Sequence, residues 1–287
     1  MPSVPNPFHG APTSARRILL LALLVLPPAA DAQQQPVPPP SRTELFTWTD
    51  AAIFGGFALA TVAVAPLDRE IAESLQRSNF QENRLLGDLS TVVRNVAAPG
   101  SAIIGVGLYT VGRLTRNDRA ADLGLHGTEA VLIATGVGTL IKGTLGRARP
   151  YRDASRPKDF KLGRGWRDSG DFRSFPSGHT IAAFAAAAAV TTETDRWWPQ
   201  GTWAVGSLMY GGAALAGASR MYNNRHWASD VLVGAAIGTF AGLKVTRWHH
   251  SHPGNRIDRF FLGGTISPSA SGGSELRLMA MPVLGGR

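Results

Sequence analysis

The chain has no cysteine among its 287 residues, which excludes disulfide staples, thiolate metal sites and a cysteine nucleophile. Acidic residues are also scarce, with 20 Asp and Glu against 29 Lys and Arg, giving a net charge of +9. That balance points to anionic partners such as phosphate esters or phospholipid headgroups. No basic patch is interleaved with aromatics, so nucleic acid ranks last among them. The apolar stretches lack period-two alternation, which argues against strands there. No internal repeat signals a solenoid. Near the N-terminus no apolar run is long enough to span a bilayer: Ile18 to Leu26 falls well short of about 20 residues. Arg16-Arg17 before that run and Ala30-Asp31-Ala32 after it instead describe a secretory signal peptide over 1–32, cleaved after Ala32. The arginine pair also weakly resembles a twin-arginine export signal.

What is present is helical in pattern. A Pro- and Gln-rich linker over 33–47 cannot pack into a core. Six apolar segments follow, at about 48–65, 100–112, 126–146, 179–192, 203–219 and 228–246. They predict an all-α six-helix bundle over 48–250, embedded in a membrane. Trp48, Trp197, Trp198, Trp203 and Trp248 lie near segment ends, as an aromatic belt would place them. The stretch 68–97 is amphipathic and predicts surface helices. A polar loop over 151–175 holds seven basic and four acidic residues, and a loop that long in a compact domain is expected to serve function. In the tail, 251–287, alternating Leu276, Leu278 and Ala280 predict a short hairpin around Gly272-Gly273.

Three islands carry chemistry. In the first, Lys142 and Arg149-Pro150 place two cations where proline ends a helix and a polar loop begins. In the second, Pro176-Ser177-Gly178-His179 offers a hydroxyl, backbone N–H groups and an imidazole at a helix start. In the third, Ser219-Arg220 precedes His226 and Asp230, whose four-residue spacing predicts one helix face. A carboxylate on one imidazole nitrogen exposes the other as base or nucleophile. Taken singly, each island has a plain structural account: cations capping a helix C-terminus, a serine N-cap, a His–Asp pair. In an up-down bundle, however, all three fall at one end, with Lys142, Arg149 and Arg220 around His226 and His179.

The order K-x6-RP, PSGH and SR-x5-H-x3-D resembles the signature of the type 2 phosphatidic acid phosphatase and vanadium haloperoxidase superfamily. The resemblance spans about 48–246 and is specific for the superfamily, not for substrate. It implies that His226 attacks phosphorus and forms a phosphohistidine, with Asp230 orienting it. His179 would protonate the leaving alkoxide and then activate water. Lys142, Arg149 and Arg220, with Ser177 and the Gly178 N–H, would hold the phosphate oxygens. No metal and no cofactor is then required, since positioning and charge carry phosphoryl transfer. A lipid phosphate or lipid pyrophosphate, met at the membrane, is the expected substrate. Three alternatives share the scaffold: a haloperoxidase holding vanadate, a soluble periplasmic acid phosphatase of broad specificity, and a non-catalytic membrane protein. Intact His226, His179 and Asp230 count against the last. The sequence carries no reading of oligomeric state.

Two expectations remain. The export signal favours the inner membrane with a site facing the periplasm, or a periplasmic protein, although a cleaved signal followed by six spans would turn the mouth inward. His249, His250 and His252, with Lys244, Arg247, Arg256 and Arg259, read as a basic flank contacting anionic lipid, without a closed metal site. His126 reads as a helix-start residue without assigned chemistry.

Overall fold

A computed structural model describes residues 44–167, 170–268 and 274–278. The signal peptide and most of the linker lie outside the described residues. Helix α1, Trp48–Val64, starts at a capping box in which Asp50 N donates to Thr47 Oγ1 at 3.2 Å and Thr47 N donates to Asp50 Oδ2 at 2.7 Å. A 3-10 turn leads into α2, Asp68–Leu75, then α3, Ser78–Gln81, and α4, Arg84–Asn95. They fall where the sequence predicts amphipathic helices over 68–97, although 48–75 and 84–115 are also long and apolar enough to cross a membrane. Next come α5, Ser101–Thr115, and α6, Asp118–Leu145, which Asn117 caps and Gly146 ends at φ +52°. Glycine meets no Cβ penalty in that left-handed cap. The polar loop contains one turn, α7, Arg164–Arg167. The remaining helices are α8, Gly178–Trp197; α9, Thr202–Tyr222; α10, Ala228–Ser251; and α11, Arg256–Phe261. The tail hairpin is present: β1, Gly264–Pro268, pairs antiparallel with β2, Ser274–Leu278.

Helix α8 is the axis of the bundle, packed by α6, α9 and α10. Its core residues Ile181, Ala182, Ala185, Ala187, Ala188 and Ala189 are fully enclosed. Small residues set the closeness of the α8–α10 pair. A Cβ on Gly238 would lie 2.4 Å from the Ile181 carbonyl, and one on Gly242 would lie 2.6 Å from that of Ala185. Backbones meet directly there, as in helix pairs within membranes.

Among the described residues, four helical stretches are long and apolar enough to cross a membrane: 48–75, 84–115, 118–145 and 228–251. The sequence has six apolar segments, several of them short of a spanning length. Helix α8 falls outside this set because its alanines face neighbouring helices and its last turns carry Thr191, Thr192, Glu193 and Asp195. The outer surface matches a lipid solvent, with Leu59, Ile103, Leu132, Leu140 and Leu208 each exposing 60% or more. So large an apolar exterior marks a membrane-facing surface. Two boundaries also differ. Helix α6 begins at Asp118, because Asn117 caps it before the apolar run starts. Helix α10 continues to Ser251, because its last-turn histidines point into a buried cluster.

Candidate active site

The first island does not lie on one helix face. Gly146 ends α6, so Lys142 sits in the last turn while Arg149 is carried in the following loop. Lys142 Nζ donates to the carbonyls of Arg173, at 3.1 Å, and Pro176. Arg149 Nε donates to Gly170 O at 2.6 Å, and its Nη1 donates to Arg225 O at 2.9 Å. That same Nη1 lies 3.3 Å from His226 Nε2. Lys142 therefore reaches the site from the end of α6, and Arg149 from the polar loop.

His226 precedes α10, whose N-cap is Trp227, and is buried. Its Nδ1 lies 2.7 Å from the Ser174 carbonyl, so the proton resides on Nδ1 and Nε2 keeps its lone pair. Burial holds the His226 pKa well below the usual histidine value, against the pull of the nearby Asp230 carboxylate and with help from the charges of Lys142 and Arg149. A neutral ring with an open Nε2 is a competent nucleophile.

Asp230 is less direct than expected. Its Oδ2 stands 3.6 Å from His226 Nδ1, beyond hydrogen-bond reach. The carboxylate instead accepts from Trp227 N at 2.9 Å, from Ser174 Oγ at 2.5 Å and from Arg147 Nη1 at 2.5 Å. The physical reason is the helix cap: Asp230 occupies the third position of α10 and turns back onto the Trp227 N–H. It fixes Ser174, and the Ser174 carbonyl orients the imidazole.

The second island joins the third through the backbone, because Ser177 N donates to Asp230 O at 3.0 Å. Ser177 occupies the N-cap position of α8 without capping it; its Oγ accepts from Thr180 Oγ1 at 2.8 Å, leaving the serine proton to donate elsewhere. Gly178 opens the helix beside Lys142: a Cβ there would meet Lys142 Cε at 3.5 Å. His179 follows, half-buried, in the first turn. Arg220 lies in the last turn of α9, buried, and its Nε has no hydrogen-bond partner among the described residues. A buried donor without a partner is costly unless something arrives to accept from it.

Sequence reasoning missed the brace behind this arrangement. Buried Arg147 donates through Nη2 to Asp68 Oδ2 at 2.7 Å and through Nη1 to Ser229 Oγ at 2.8 Å, besides Asp230. Asp68 Oδ1 accepts from Ser229 N at 2.9 Å. Two carboxylates thus share one guanidinium, and the start of α10 is tied to α2. Arg147 stands two residues before Arg149 and could have been suspected. Asp68 and Ser174 gave no signal.

Comparison with known proteins bears on this arrangement. Residues 125–253, which hold all three islands, match the family profile described as the PAP2 superfamily. The fold is similar to that of the crystal structure titled the first transmembrane PAP2 type phosphatidylglycerolphosphate phosphatase from Bacillus subtilis. That structure superposes at a TM-score of 0.51 and 20% identity, covering 73% of this chain and 100% of that one. A curated relative, the lipid A 1-phosphatase of Porphyromonas gingivalis, is 41% identical over 86 residues. That match spans 29% of this chain and 18% of the relative, so the chain aligns with less than a fifth of its length.

Proposed function

We propose that this chain is a lipid phosphate phosphatase of the PAP2 type working through a phosphohistidine, without a metal at the reacting phosphorus. The observation that carries this reading is a neutral, buried His226 with a free Nε2 lone pair, together with a buried Arg220 whose Nε has no hydrogen-bond partner among the described residues. His226 Nε2 attacks phosphorus, the ester P–O bond breaks, and His179 gives its proton to the departing alkoxide. Water then attacks the phosphohistidine with His179 taking a proton, the P–N bond breaks, and inorganic phosphate leaves. Arg220, Arg149, Lys142, the Ser177 hydroxyl and the Gly178 N–H hold the three equatorial oxygens, where charge accumulates in the transition state. Arg147 and Asp230 position the nucleophile without touching substrate.

A lipid substrate is supported by the space beside the mouth. An apolar cavity of about 300 Å³ runs between α4, α5, α8 and α9, lined by Val92, Val96, Leu208, Ala183 and Ala216 among others. Ala183 lies one turn beyond His179, and Ala216 one turn before Arg220, so this slot opens directly behind the phosphate position. An acyl or isoprenoid chain fits it, with the phosphate at the cationic end. The relatives' names direct the choice of candidates. Phosphate release from phosphatidic acid, phosphatidylglycerol phosphate, lipid A 1-phosphate, undecaprenyl pyrophosphate and a chromogenic monoester tests the reading. Turnover of at least one lipid well above the monoester is expected. Turnover of the monoester alone would overturn the lipid assignment. An outward-facing mouth is part of this proposal, and protease protection of the 151–175 loop in oriented vesicles checks it.

A further inference from the structure

At the end of the bundle remote from His226, helices α6, α8 and α10 bring together His126, Glu193 and His250. Asp230 and His250 stand twenty residues apart on α10, roughly 30 Å at about 1.5 Å per residue, so this cluster has no contact with the reacting phosphate. From the sequence, His249, His250 and His252 read as a basic flank without a carboxylate partner, and His126 as a helix-start residue without assigned chemistry. The structure corrects that: His249 is buried, and each imidazole except that of His252 faces a carboxylate.

We infer that His126 Nδ1, His250 Nε2 and Glu193 Oε1 form a binding site for a divalent transition-metal ion of the Zn²⁺ class. Three observations carry it. First, the ligand atoms converge on one point. His126 Nδ1 lies 2.7 Å and His250 Nε2 lies 2.8 Å from the same Glu193 oxygen, and the two rings stand at 84° to each other. Moving these atoms apart by roughly half an ångström gives the spacing of ligands around a tetrahedral ion with bonds of about 2.0–2.1 Å. By contrast His126 and His249 stack at 4.1 Å and 22°, which does not let one ion lie in both ring planes.

Second, the donor set suits a metal. Glu193, Glu129 and Asp258 pair only with imidazoles, and none pairs with Lys or Arg among the described residues. Two imidazoles with a carboxylate, and no thiolate in the chain, select a borderline ion over Ca²⁺ or Mg²⁺.

Third, the site has an outer shell and an entrance. His126 Nε2 lies 3.4 Å from Asp258 Oδ1, the carboxylate that fixes a ligating ring, and Asn255 Nδ2 holds the other Asp258 oxygen at 2.6 Å. His250 lines an open cavity of about 430 Å³, leaving a fourth coordination position for water. The ion would join α6, α8 and α10 at the end opposite catalysis, as a structural clamp.

The test uses the full chain, purified in detergent without a histidine tag, with Zn²⁺ as the probe. Elemental analysis is expected to give about one Zn²⁺ per chain, and chelation is expected to lower the thermal midpoint. His250→Ala and Glu193→Gln should each lose the ion, whereas His249→Ala should retain it. Native protein that holds no Zn²⁺ and gains no thermal stability from it would overturn the site. So would retention by His250→Ala, or loss confined to His249→Ala. Should His250→Ala fail to fold, the metal content and chelator response of the native chain decide the matter.

Discussion

The same three helices end in two opposite kinds of polar cluster. At one end Lys142, Arg147, Arg149 and Arg220 outnumber the carboxylates, and Arg220 Nε has no partner among the described residues. At the other end Glu129, Glu193 and Asp258 meet imidazoles without any Lys or Arg among the described residues. Both ends are largely buried, where a ligand of opposite sign would relieve the desolvation of charged groups. On the two proposals above, one bundle keeps an end for an anion and an end for a cation apart by the length of α10. The Gly- and Ala-rich α8–α10 contact holds the two ends rigidly in register between them.

Substitutions can break or sharpen this contrast. The largest effect is expected from His226→Ala, which should cost roughly a millionfold in turnover, as loss of a covalent nucleophile does. His249→Ala should leave turnover unchanged, since it lies at the far end. Equal losses from both would erase the distinction between the ends. Arg147→Met comes next. It strips one guanidinium from two buried carboxylates and should destabilise the protein by about 3–5 kcal/mol, read from denaturant or thermal unfolding in detergent. A neutral result would mean that the brace across Asp68 and Asp230 is not the anchor of α10.

Arg220→Met should lower turnover by about 100- to 1000-fold, the cost of removing one preorganised donor from a developing oxyanion. Because the buried Nε of Arg220 has no partner among the described residues, the thermal midpoint should stay level or rise. A large fall in stability would show that Arg220 is structural instead. The smallest expected effect concerns pH. With its pKa held well below 6.5 in the folded chain, His226 binds fewer protons than in the unfolded chain. Its contribution to stability is therefore complete above about pH 6.5 and is lost as pH falls through the folded value. Between pH 7.5 and 5, the native protein should lose more thermal stability than His226→Gln. Equal losses would place the shift elsewhere.

Much of the candidate site's placement was legible in the sequence because its residues are local signals. Gly178 and Asp230 mark helix starts, and helix ends in a bundle gather at its faces, whereas Pro150 does not close α6, which Gly146 ends four residues earlier. The six apolar segments and the Leu276–Leu278 alternation gave the helices and the hairpin for the same reason, since periodicity is local. The rest depended on contacts between distant residues. Nothing near Asp68 indicates that it will share Arg147 with Asp230. The Ser174 carbonyl is a backbone group and has no sequence signature, so Asp230 was expected to hold His226 itself. At the far end His126, Glu193 and His250 come from three separate helices. Their spacing in the chain carried no metal-site pattern, and the nearby Arg247 and Lys244 suggested a basic flank. Those two cations instead pair with Asp50 at the start of α1.

The central claim is that phosphorus is transferred to His226 at the cationic end. Rapid acid-free quenching of turnover with a ³²P-labelled lipid phosphate, followed by peptide mapping, tests it most directly. The account expects an acid-labile, base-stable phosphoramidate on the peptide containing His226 in native protein, accumulating when His179→Ala slows its hydrolysis. Label on any other residue, or turnover with no label trapped in either protein, would contradict it.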